Sequence, residues 1–381
     1  MSAATRGRFP ACPPLRIGVN ALYLIPGAVG GTGIYLRGLL EALAEIDSVN
    51  RYFVFTNRET GAGLVPKAPN FTAMPQAVRA ANRPARMLWE QAVLPLEAAR
   101  LHLDAMLNPG FTAPLFCACP QVTVFHDLQH KRHPGYFRWF DLPFWQFFLF
   151  WSAQVSRLVL ADSSPTAADL RRYYRLPEAK VRVVPLGVAP VFFEIGRRRA
   201  PERFLLAVST LHPHKNFDGL LRAFAVFRRK RPEFRLVICG IHGFFTGALH
   251  ELRDSLGLRD AVDFPGWIPR EDLHDLYARA WAFVYPSLFE GFGLPVLEAL
   301  AAGVPTACSH IQPLSGIAGD AALQFDPHDL SAIAAAMERI TGDEDLRRRL
   351  MELGPLRAAQ FSWKATAGAT LGALRDVSQL P

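Results

Sequence analysis

The feature that most constrains the fold is an alternation of apolar, β-branched segments of strand length with amphipathic segments of helix length. It occurs in two series, over residues 15–184 and residues 204–325. Because helices separate the strands, each series is expected to form one parallel sheet with right-handed crossovers. The sequence therefore predicts an α/β protein in which two Rossmann-like domains face each other across a cleft.

The segment between the two series sets the predicted domain boundaries. It contains Pro190, Gly196 and Pro201, together with a cluster of three arginines. Beyond the second series, Ser362 is a candidate N-cap for a last helix. The predicted boundaries are, in chain order, residues 1–187, a linker over 188–203, a second domain over 204–360 and a final helical segment over 361–381.

Composition narrows the class of protein. Half of the 381 residues are hydrophobic and a fifth are charged, which is typical of a globular chain. No apolar run reaches the roughly 18–20 residues of a membrane-spanning helix, and the amino terminus lacks the pattern of a secretory signal. Few cysteines in apolar surroundings indicate reduced core thiols and a cytoplasmic location. They are Cys12, Cys117, Cys119, Cys239 and Cys308.

The net charge of +8 lies almost entirely in the first half of the chain. Residues 1–195 carry 20 Lys and Arg against 13 Asp and Glu, and the remainder carries 22 against 21. No nucleic-acid motif accompanies this excess, so an anionic membrane surface or a phosphorylated acceptor fits it better than nucleic acid. The segment Phe137 to Trp151 is crowded with Phe and Trp. It is predicted to be a helix that either completes the core or docks on the inner face of a membrane.

A turn late in the second series, Pro286 to Gly303, carries two carboxylates eight positions apart, Glu290 and Glu298. Gly291 and Gly293 let the backbone approach a ligand closely, and the N–H groups of the following helical turn favour an anion. Carboxylates that accept from hydroxyls, beside N–H groups that bind phosphate, suit a sugar nucleotide. On spacing alone, an ordinary strand–loop–helix unit with one surface Glu and one hydrogen-bonded Glu is the better explanation.

Four other polar motifs follow predicted strands, where open parallel sheets bind their ligands. Each also fits a plain turn or strand end. The first lacks the G-x-G-x-x-G spacing, and no acidic residue ends the next strand, which disfavours a dinucleotide. The motifs are Gly30-Gly-Thr-Gly33, His126-Asp127, Ser209-Thr-Leu-His-Pro-His-Lys-Asn216 and Asp263-Phe-Pro-Gly-Trp267.

Two motifs imitate metal sites. His126, His130 and His133 have a spacing that could bind zinc, but the intervening basic residues repel a cation and no further ligand is evident. Asp343-Glu-Asp345 imitates the D-x-D motif of metal-dependent glycosyltransferases. It precedes Leu-Arg-Arg-Arg at a predicted first helical turn, where acidic residues favour the helix dipole. We interpret Asp343-Glu-Asp345 as a solvent-exposed helix start, and we predict that the protein binds neither a metal nor a cofactor.

The segment Glu290-Gly-Phe-Gly-Leu-Pro-Val-Leu-Glu298 resembles the E-x7-E signature of the retaining GT-B glycosyltransferases called group 1 or family 4. Together with His212-Pro-His-Lys-Asn216, it is most similar to bacterial polysaccharide mannosyltransferases. The resemblance covers nearly the whole chain. It implies transfer of a hexosyl unit from a nucleoside diphosphate sugar to a glycan or lipid-linked acceptor. The first choice for this unit is mannosyl, with GDP-mannose as the donor. The resemblance also implies that the helix after Phe361-Ser-Trp363 crosses back to the first domain.

The resemblance implies a role for each candidate residue. Glu298 would hold the ribose hydroxyls and Glu290 the hydroxyls of the donor sugar, while His126 would position the far edge of that sugar. Glu290 and His126 are the catalytic candidates. The implied donor-binding residues are Gly31, Gly33, Ser209, His214, Lys215, Gly266, Trp267, Gly291, Phe292, Gly293, Leu294 and Glu298.

The phosphate-binding part of the motif departs from the family. Lys215 corresponds to the lysine that contacts the donor diphosphate, without a metal. The family's arginine, just after the strand or just before the lysine, is missing, and Thr210 and His214 stand at those places. A protonated His214 or backbone N–H groups would have to replace it.

Other functions remain open at this point. A sugar-nucleotide epimerase shares the architecture and consumes its donor without an acceptor. A non-catalytic sugar-nucleotide-binding module is disfavoured by the joint presence of His126, Lys215, Glu290 and Glu298. A third alternative is a nicotinamide oxidoreductase, which would be excluded by the absence of changes in the absorbance of the cofactor.

Overall fold

The structure, a computed structural model, describes residues 13–26, 30–137, 139–241, 243 and 245–379. Their strands form two sheets of seven and six strands. The strands are β1 (Arg16–Asn20), β2 (Arg51–Thr56), β3 (Phe71–Pro75), β4 (Ala105–Asn108), β5 (Gln121–Phe125), β6 (Leu158–Ala161), β7 (Val181–Val183), β8 (Glu202–Val208), β9 (Arg235–Cys239), β10 (Val262–Gly266), β11 (Ala280–Tyr285), β12 (Thr306–Ser309) and β13 (Leu323–Phe325).

Helices connect these strands and end the described chain. They are α1 (Gly31–Ile46), α2 (Arg83–Arg100), α3 (Gln129–Arg132), α4 (Leu142–Val155), α5 (Ser164–Tyr174), α6 (Pro190–Gly196), α7 (Phe217–Lys230), α8 (Thr246–Ser255), α9 (Arg270–Arg279), α10 (Leu294–Ala301), α11 (Leu314–Ala318), α12 (Leu330–Gly342), α13 (Glu344–Ala358) and α14 (Trp363–Gln379).

Both sheets are doubly wound. The strand orders are β3-β2-β1-β4-β5-β6-β7 and β10-β9-β8-β11-β12-β13, and every recorded pair of neighbouring strands is parallel. Central strands such as β5 and β12 are buried along their whole length, because helices cover both faces of a parallel sheet. The predicted α/β architecture with two Rossmann-like units is confirmed.

Several local features were not evident from the sequence. β3 is a short, half-exposed edge strand that ends in a proline, which makes its strand pattern weak. Residues of the predicted linker form α6, whose Phe192 ring packs 5.3 Å from that of Tyr277. α2 runs through Pro95 without a break, since Leu94 and Ala98 are both buried. The domain boundaries themselves stay a prediction.

The last helix crosses back to the first domain, as the resemblance implied. α14 packs along α1, and Trp363 lies so close to Gly38 that an added Cβ there would overlap the indole ring. The backbone N–H of Ala365 donates to Ser362 Oγ at 3.1 Å, which confirms the predicted N-cap. Tyr35 of α1 and Leu371 of α14 belong to the same hydrophobic cluster.

Two smaller expectations can also be compared with the described residues. Asp343 caps α13 by accepting from the N–H of Leu346 at 2.9 Å, which confirms that the acidic motif belongs to a helix start. Among the cysteines, Cys119, Cys239 and Cys308 are buried and free, Cys117 is free but half-buried, and Cys12 lies outside the described residues. Within those residues, no helix is long and apolar enough to cross a membrane.

Candidate active site

A cleft of about 830 Å³ lies beyond the carboxyl ends of the strands of both sheets. It is lined by His126 from the first domain, at the end of β5, and by residues that follow β8, β9, β10 and β11 of the second. Gly266 does not line it: this residue ends β10 behind the surface, where its carbonyl accepts from Gly240 N–H at 3.0 Å. The predicted residues that do line the cleft are His126, Gly31, Gly33, Ser209, His214, Lys215, Trp267, Glu290, Gly291, Phe292, Gly293, Leu294 and Glu298.

Lys215 and Glu290 form an ion pair in the middle of this cleft. Lys215 Nζ lies 2.6 Å from Glu290 Oε1, and the two side chains are 13% and 9% exposed. The ammonium also donates to Tyr285 Oη at 3.4 Å, and Tyr285 in turn contacts Ser209 Oγ at 3.3 Å. Asn216, in a left-handed conformation with φ 55°, ends the turn that carries the lysine. The two groups assigned to phosphate and to sugar therefore contact each other.

Glu298 occupies a separate, more deeply buried position. It lies on α10 with 6% exposure and accepts a hydrogen bond from Tyr277 Oη at 3.1 Å. Burial raises the pKa of its carboxyl to about 7, although the Tyr277 hydrogen bond and the charge of Arg270 oppose the shift. Arg270 lines the same cleft and was missed by sequence reasoning. Glu298 is thus a polar group that titrates near neutral pH and faces the cleft.

His126 is held at both ring nitrogens. Nδ1 lies 2.6 Å from Asp162 Oδ2, and Nε2 lies 2.9 Å from the carbonyl oxygen of Pro109. Burial acts to lower the pKa of His126, but the adjacent Asp162 carboxylate outweighs it and raises the pKa. With two acceptors facing it, the ring donates at both nitrogens and has no free nitrogen for a ligand. Asp162 was missed, and its only sequence signal is an acidic residue at the end of β6.

The neighbours of His126 give no sign of a metal site. His130 Nε2 contacts Tyr174 Oη at 2.6 Å, and the ring of His133 stacks on that of Tyr136 at 5.2 Å. Within the described part of the chain, there is no group of three or more side chains placed to hold a metal ion.

The two domains touch at Gly291. Ser163 Oγ donates to the Gly291 carbonyl at 2.5 Å, and Thr166 Oγ1 donates to the same carbonyl at 3.4 Å and to that of His126 at 3.3 Å. A Cβ on Gly291 would lie 1.9 Å from the His126 carbonyl oxygen. Only glycine fits this approach. Ser163 is the N-cap of α5, through a hydrogen bond from the N–H of Thr166 to Ser163 Oγ at 3.3 Å.

His214 does not supply the missing positive charge. Gln129 Nε2 of the first domain donates to His214 Nδ1 at 2.8 Å. Burial, with the charge of Lys215 as a second cause, lowers the pKa of His214 to about 2, so the ring is neutral near pH 7. The idea of a protonated His214 is therefore wrong. Of the two expected substitutes, backbone N–H groups remain.

Glycines and helix starts shape the rest of the cleft. α1 begins at Gly31 without a side-chain cap. The N–H groups of Gly33 and Ile34 donate to the Gly30 carbonyl, and those of Gly31 and Thr32 precede them. Gly293, with φ 120°, precedes α10, and a Cβ there would meet Leu314. Trp267, which also lines the cleft, is 56% exposed. The cleft thus contains two helix starts together with Lys215.

Two sequence families match the chain. The family described as "Glycosyl transferases group 1" matches residues 190–357, and "Glycosyltransferase Family 4" matches residues 29–192. The chain is 31% identical over 270 residues to O-antigen chain mannosyltransferase B of Escherichia coli, a match that covers 67% of this chain and 70% of that protein. It is 27% identical over 388 residues to the MMP alpha-(1->4)-mannosyltransferase of Mycolicibacterium hassiacum, covering 90% and 93%.

Solved structures resemble the whole chain. Sucrose-phosphate synthase from Thermosynechococcus elongatus has a TM-score of 0.76 at 22% identity, over 95% of this chain and 98% of that one. HepE from Anabaena, solved in complex with UDP and glucose, has a TM-score of 0.74 at 17% identity, over 95% and 100%. At such identities the likeness concerns the fold.

Proposed function

The chain belongs to the group 1, family 4 glycosyltransferases of GT-B fold, and we propose that it transfers a mannosyl unit from GDP-mannose. The acceptor is a hydroxyl group of a glycan or of a lipid-linked molecule, and the transfer retains the configuration of the sugar. The observation that carries the proposal is the grouping of Lys215, Glu290 and Glu298 in one cleft that also contains His126. One ammonium and two carboxylates that line the same cleft fit a diphosphate flanked by a ribose and a sugar.

The donor is proposed to lie along the second-domain wall. Glu298 accepts from the ribose hydroxyls, the backbone around Trp267 meets the base, and Lys215 contacts the diphosphate. Gly31 and Thr32, at the start of α1, add N–H donors from the opposite wall, where a helix dipole favours an anion. These N–H groups take the place of the missing arginine.

The proposed reaction needs stabilisation of the leaving group more than a nucleophilic side chain. The bond between the sugar C1 and the phosphate oxygen breaks while the acceptor oxygen bonds to C1 on the same face. The acceptor proton passes to the departing phosphate oxygen. Lys215 and the helix-start N–H groups offset the charge that develops there, and Glu290 holds the sugar hydroxyls in place. No metal takes part in this proposal.

A donor screen tests this function. Thermal-shift titrations with nucleoside diphosphate sugars are expected to raise the melting temperature most with GDP-mannose, because a ligand stabilises the state that it binds. Mass analysis of donor with enzyme alone then separates the alternatives, since an epimerase converts the donor unaided and a transferase at most hydrolyses it slowly. Stabilisation by no sugar nucleotide at all would refute the proposal.

Glu298→Gln is expected to weaken GDP binding about thirtyfold, because charge-assisted hydrogen bonds contribute about 2 kcal/mol. The pKa of about 7 adds a pH test. Only the carboxylate accepts from two ribose hydroxyls, and it becomes protonated as the pH falls through 7. The Kd of the wild-type protein should therefore rise about fivefold from pH 8 to pH 6.

Calorimetric titrations with GDP over that pH range measure both effects. Glu298→Gln is the control, because the phosphates of GDP titrate identically in both experiments whereas the amide does not titrate. A wild-type Kd with the same pH profile as that of the variant would remove Glu298 from the ribose site.

The outer face of α4 supports a proposal for location. Four apolar side chains at helical spacing are 37–50% exposed there, and α4 carries no charged residue. Arg83 lies over the Trp145 ring at 5.9 Å, and Arg157 follows the helix. We propose that this α4 stripe holds the cytoplasmic protein on the inner face of an anionic membrane. The stripe consists of Phe144, Phe147, Trp151 and Val155.

Vesicle sedimentation tests the α4 stripe. The wild-type chain should pellet with vesicles containing about a third anionic lipid at low salt and less so at high salt. The double substitution Phe147→Ser with Trp151→Ser should lower the bound fraction about tenfold. Val226→Ser, which removes an exposed apolar side chain of the second domain, is the control. Absence of wild-type binding at low salt would refute this location.

A further inference from the structure

The first-domain wall of the cleft is aromatic where the second-domain wall is polar. Phe111 comes from the β4–β5 connection, Phe137 precedes α4, and Trp145 and Leu149 lie on the inner face of α4. Each of the three rings is half-buried, so part of it packs on the domain and part faces the cleft. Phe111 and Trp145 pack against the same hydrophobic cluster, which contains Leu149.

Phe111 is held in an unusual backbone conformation. Its φ is 70°, in the left-handed region, which a bulky residue rarely adopts. Its ring lies edge-on to His126, with ring centroids 5.1 Å apart. Such a conformation persists only where the surroundings impose it, and it places the ring next to the proposed reaction centre.

The segment around Phe111 is fixed from three sides. His126 Nε2 donates to the Pro109 carbonyl at 2.9 Å. Thr112 Oγ1 donates to the buried carboxylate of Glu90 at 3.0 Å, and Ala113 N–H donates to Ser152 Oγ of α4 at 2.9 Å. The same histidine that faces Gly291 of the second domain thus anchors the loop that presents Phe111. The ring is a preorganised surface rather than a mobile side chain.

The charge on this wall is low. Among the described first-domain residues that line the cleft, Arg37, Asp127 and Asp162 carry charge besides the histidines. Asp162 is bonded to His126, and Asp127 accepts from the backbone N–H of Gln129 at 2.9 Å. Arg37 belongs to α1, not to the loop and helix that carry the rings. Arg83 lies over the Trp145 ring at 5.9 Å but does not line the cleft. A phosphorylated acceptor inside the cleft would therefore find few charges beside these rings.

We propose that Phe111, Phe137 and Trp145 form a stacking subsite for an uncharged pyranose ring, the terminal sugar of a glycan acceptor. This inference rests on the proposed glycosyl transfer and specifies its acceptor. One face of a pyranose presents C–H groups, which pack favourably on the electron-rich face of an aromatic ring. A pocket wall of this kind orients the sugar with little loss of conformational entropy, because the rings are already ordered.

Ligand-observed NMR with methyl α-D-mannopyranoside tests this subsite on the full chain, saturated with the nucleoside diphosphate that the donor screen selects. The wild-type protein should bind this neutral probe more tightly than D-mannose 6-phosphate. Phe111→Leu and Trp145→Leu keep apolar volume but lose the ring, and each should raise the Kd of the probe about fivefold to tenfold. Their nucleotide Kd should stay unchanged, which also shows that they are folded.

Phe116→Leu is the matched control, because it makes the same change in the same β4–β5 connection at a side chain that is 85% exposed and outside the cleft. Three outcomes would each overturn the subsite: equal probe affinity in Phe111→Leu and Phe116→Leu, tighter binding of the phosphorylated sugar, or no binding of the neutral probe. Absence of nucleotide binding would instead contradict the proposed glycosyl transfer as a whole.

Discussion

Glu290→Gln is expected to slow glycosyl transfer by a factor of about 100 to 1,000 while the protein binds GDP more tightly. The first effect follows because a carboxylate that holds donor hydroxyls makes charge-assisted hydrogen bonds that an amide weakens. The second follows from the ion pair in the cleft, where Glu290 Oε1 lies 2.6 Å from Lys215 Nζ. A diphosphate must compete with this carboxylate for the same ammonium. Removing the competitor should lower the Kd of GDP about fivefold, or about 1 kcal/mol.

Steady-state transfer assays and GDP titrations measure the two effects separately. Glu338→Gln is the matched control, because Glu338 forms a similar pair with Lys230 at 2.8 Å on the exposed surface. This variant should change neither quantity. Weaker GDP binding in Glu290→Gln would mean that the carboxylate helps to hold the nucleotide instead of competing with it.

Gly291→Ala is expected to abolish transfer without unfolding the protein. The added methyl group would lie 1.9 Å from the His126 carbonyl oxygen, and both partners are backbone, so neither domain can yield locally. The domains must separate instead, which carries the first-domain residues away from the donor. A misplacement of about 1 Å can cost a hundredfold in rate, so kcat/KM should fall at least that much. GDP affinity should fall only in part, since Lys215 and Glu298 belong to the second domain, whereas the N–H groups of Gly31 and Thr32 move away with the first.

Small-angle X-ray scattering with bound GDP should report a larger radius of gyration for Gly291→Ala than for the wild-type chain. Gly247→Ala is the control, because no atom lies within 4 Å of the added Cβ on α8. It should leave transfer unchanged and can stabilise the helix slightly. Wild-type rates in Gly291→Ala would show that the contact between the domains is not needed for catalysis.

Features that depend on neighbours in the sequence were predictable. The strands were found because burial on both faces requires continuous apolar runs, as in β5 and β11. The cleft could be anticipated, since topology brings the carboxyl ends of parallel strands to one edge. Ser362 and Asp343 marked helix starts through side-chain acceptors that act within three residues.

Features that depend on tertiary contacts were not predictable. Lys215 and Glu290 are 75 positions apart, and nothing in either motif indicates that they pair. The neutrality of His214 follows from burial and a nearby ammonium, which a sequence does not reveal. Asp162 looked like any acidic residue after a strand. The sequence indicated that Gly291 lets the backbone approach a ligand, whereas in the structure its missing side chain makes room for the His126 carbonyl.

The docking of α14 on α1 has a consequence for how the chain folds during synthesis. Trp363 and Leu371 complete the same apolar cluster as Tyr35 and Leu39, more than 300 positions earlier. Domains made early in translation usually fold before later ones emerge. Here the first domain leaves the ribosome with one helix face uncovered, and that face is sealed only after the second domain has been made. We expect the nascent first domain to bind chaperones until α14 has been synthesised and has packed on α1.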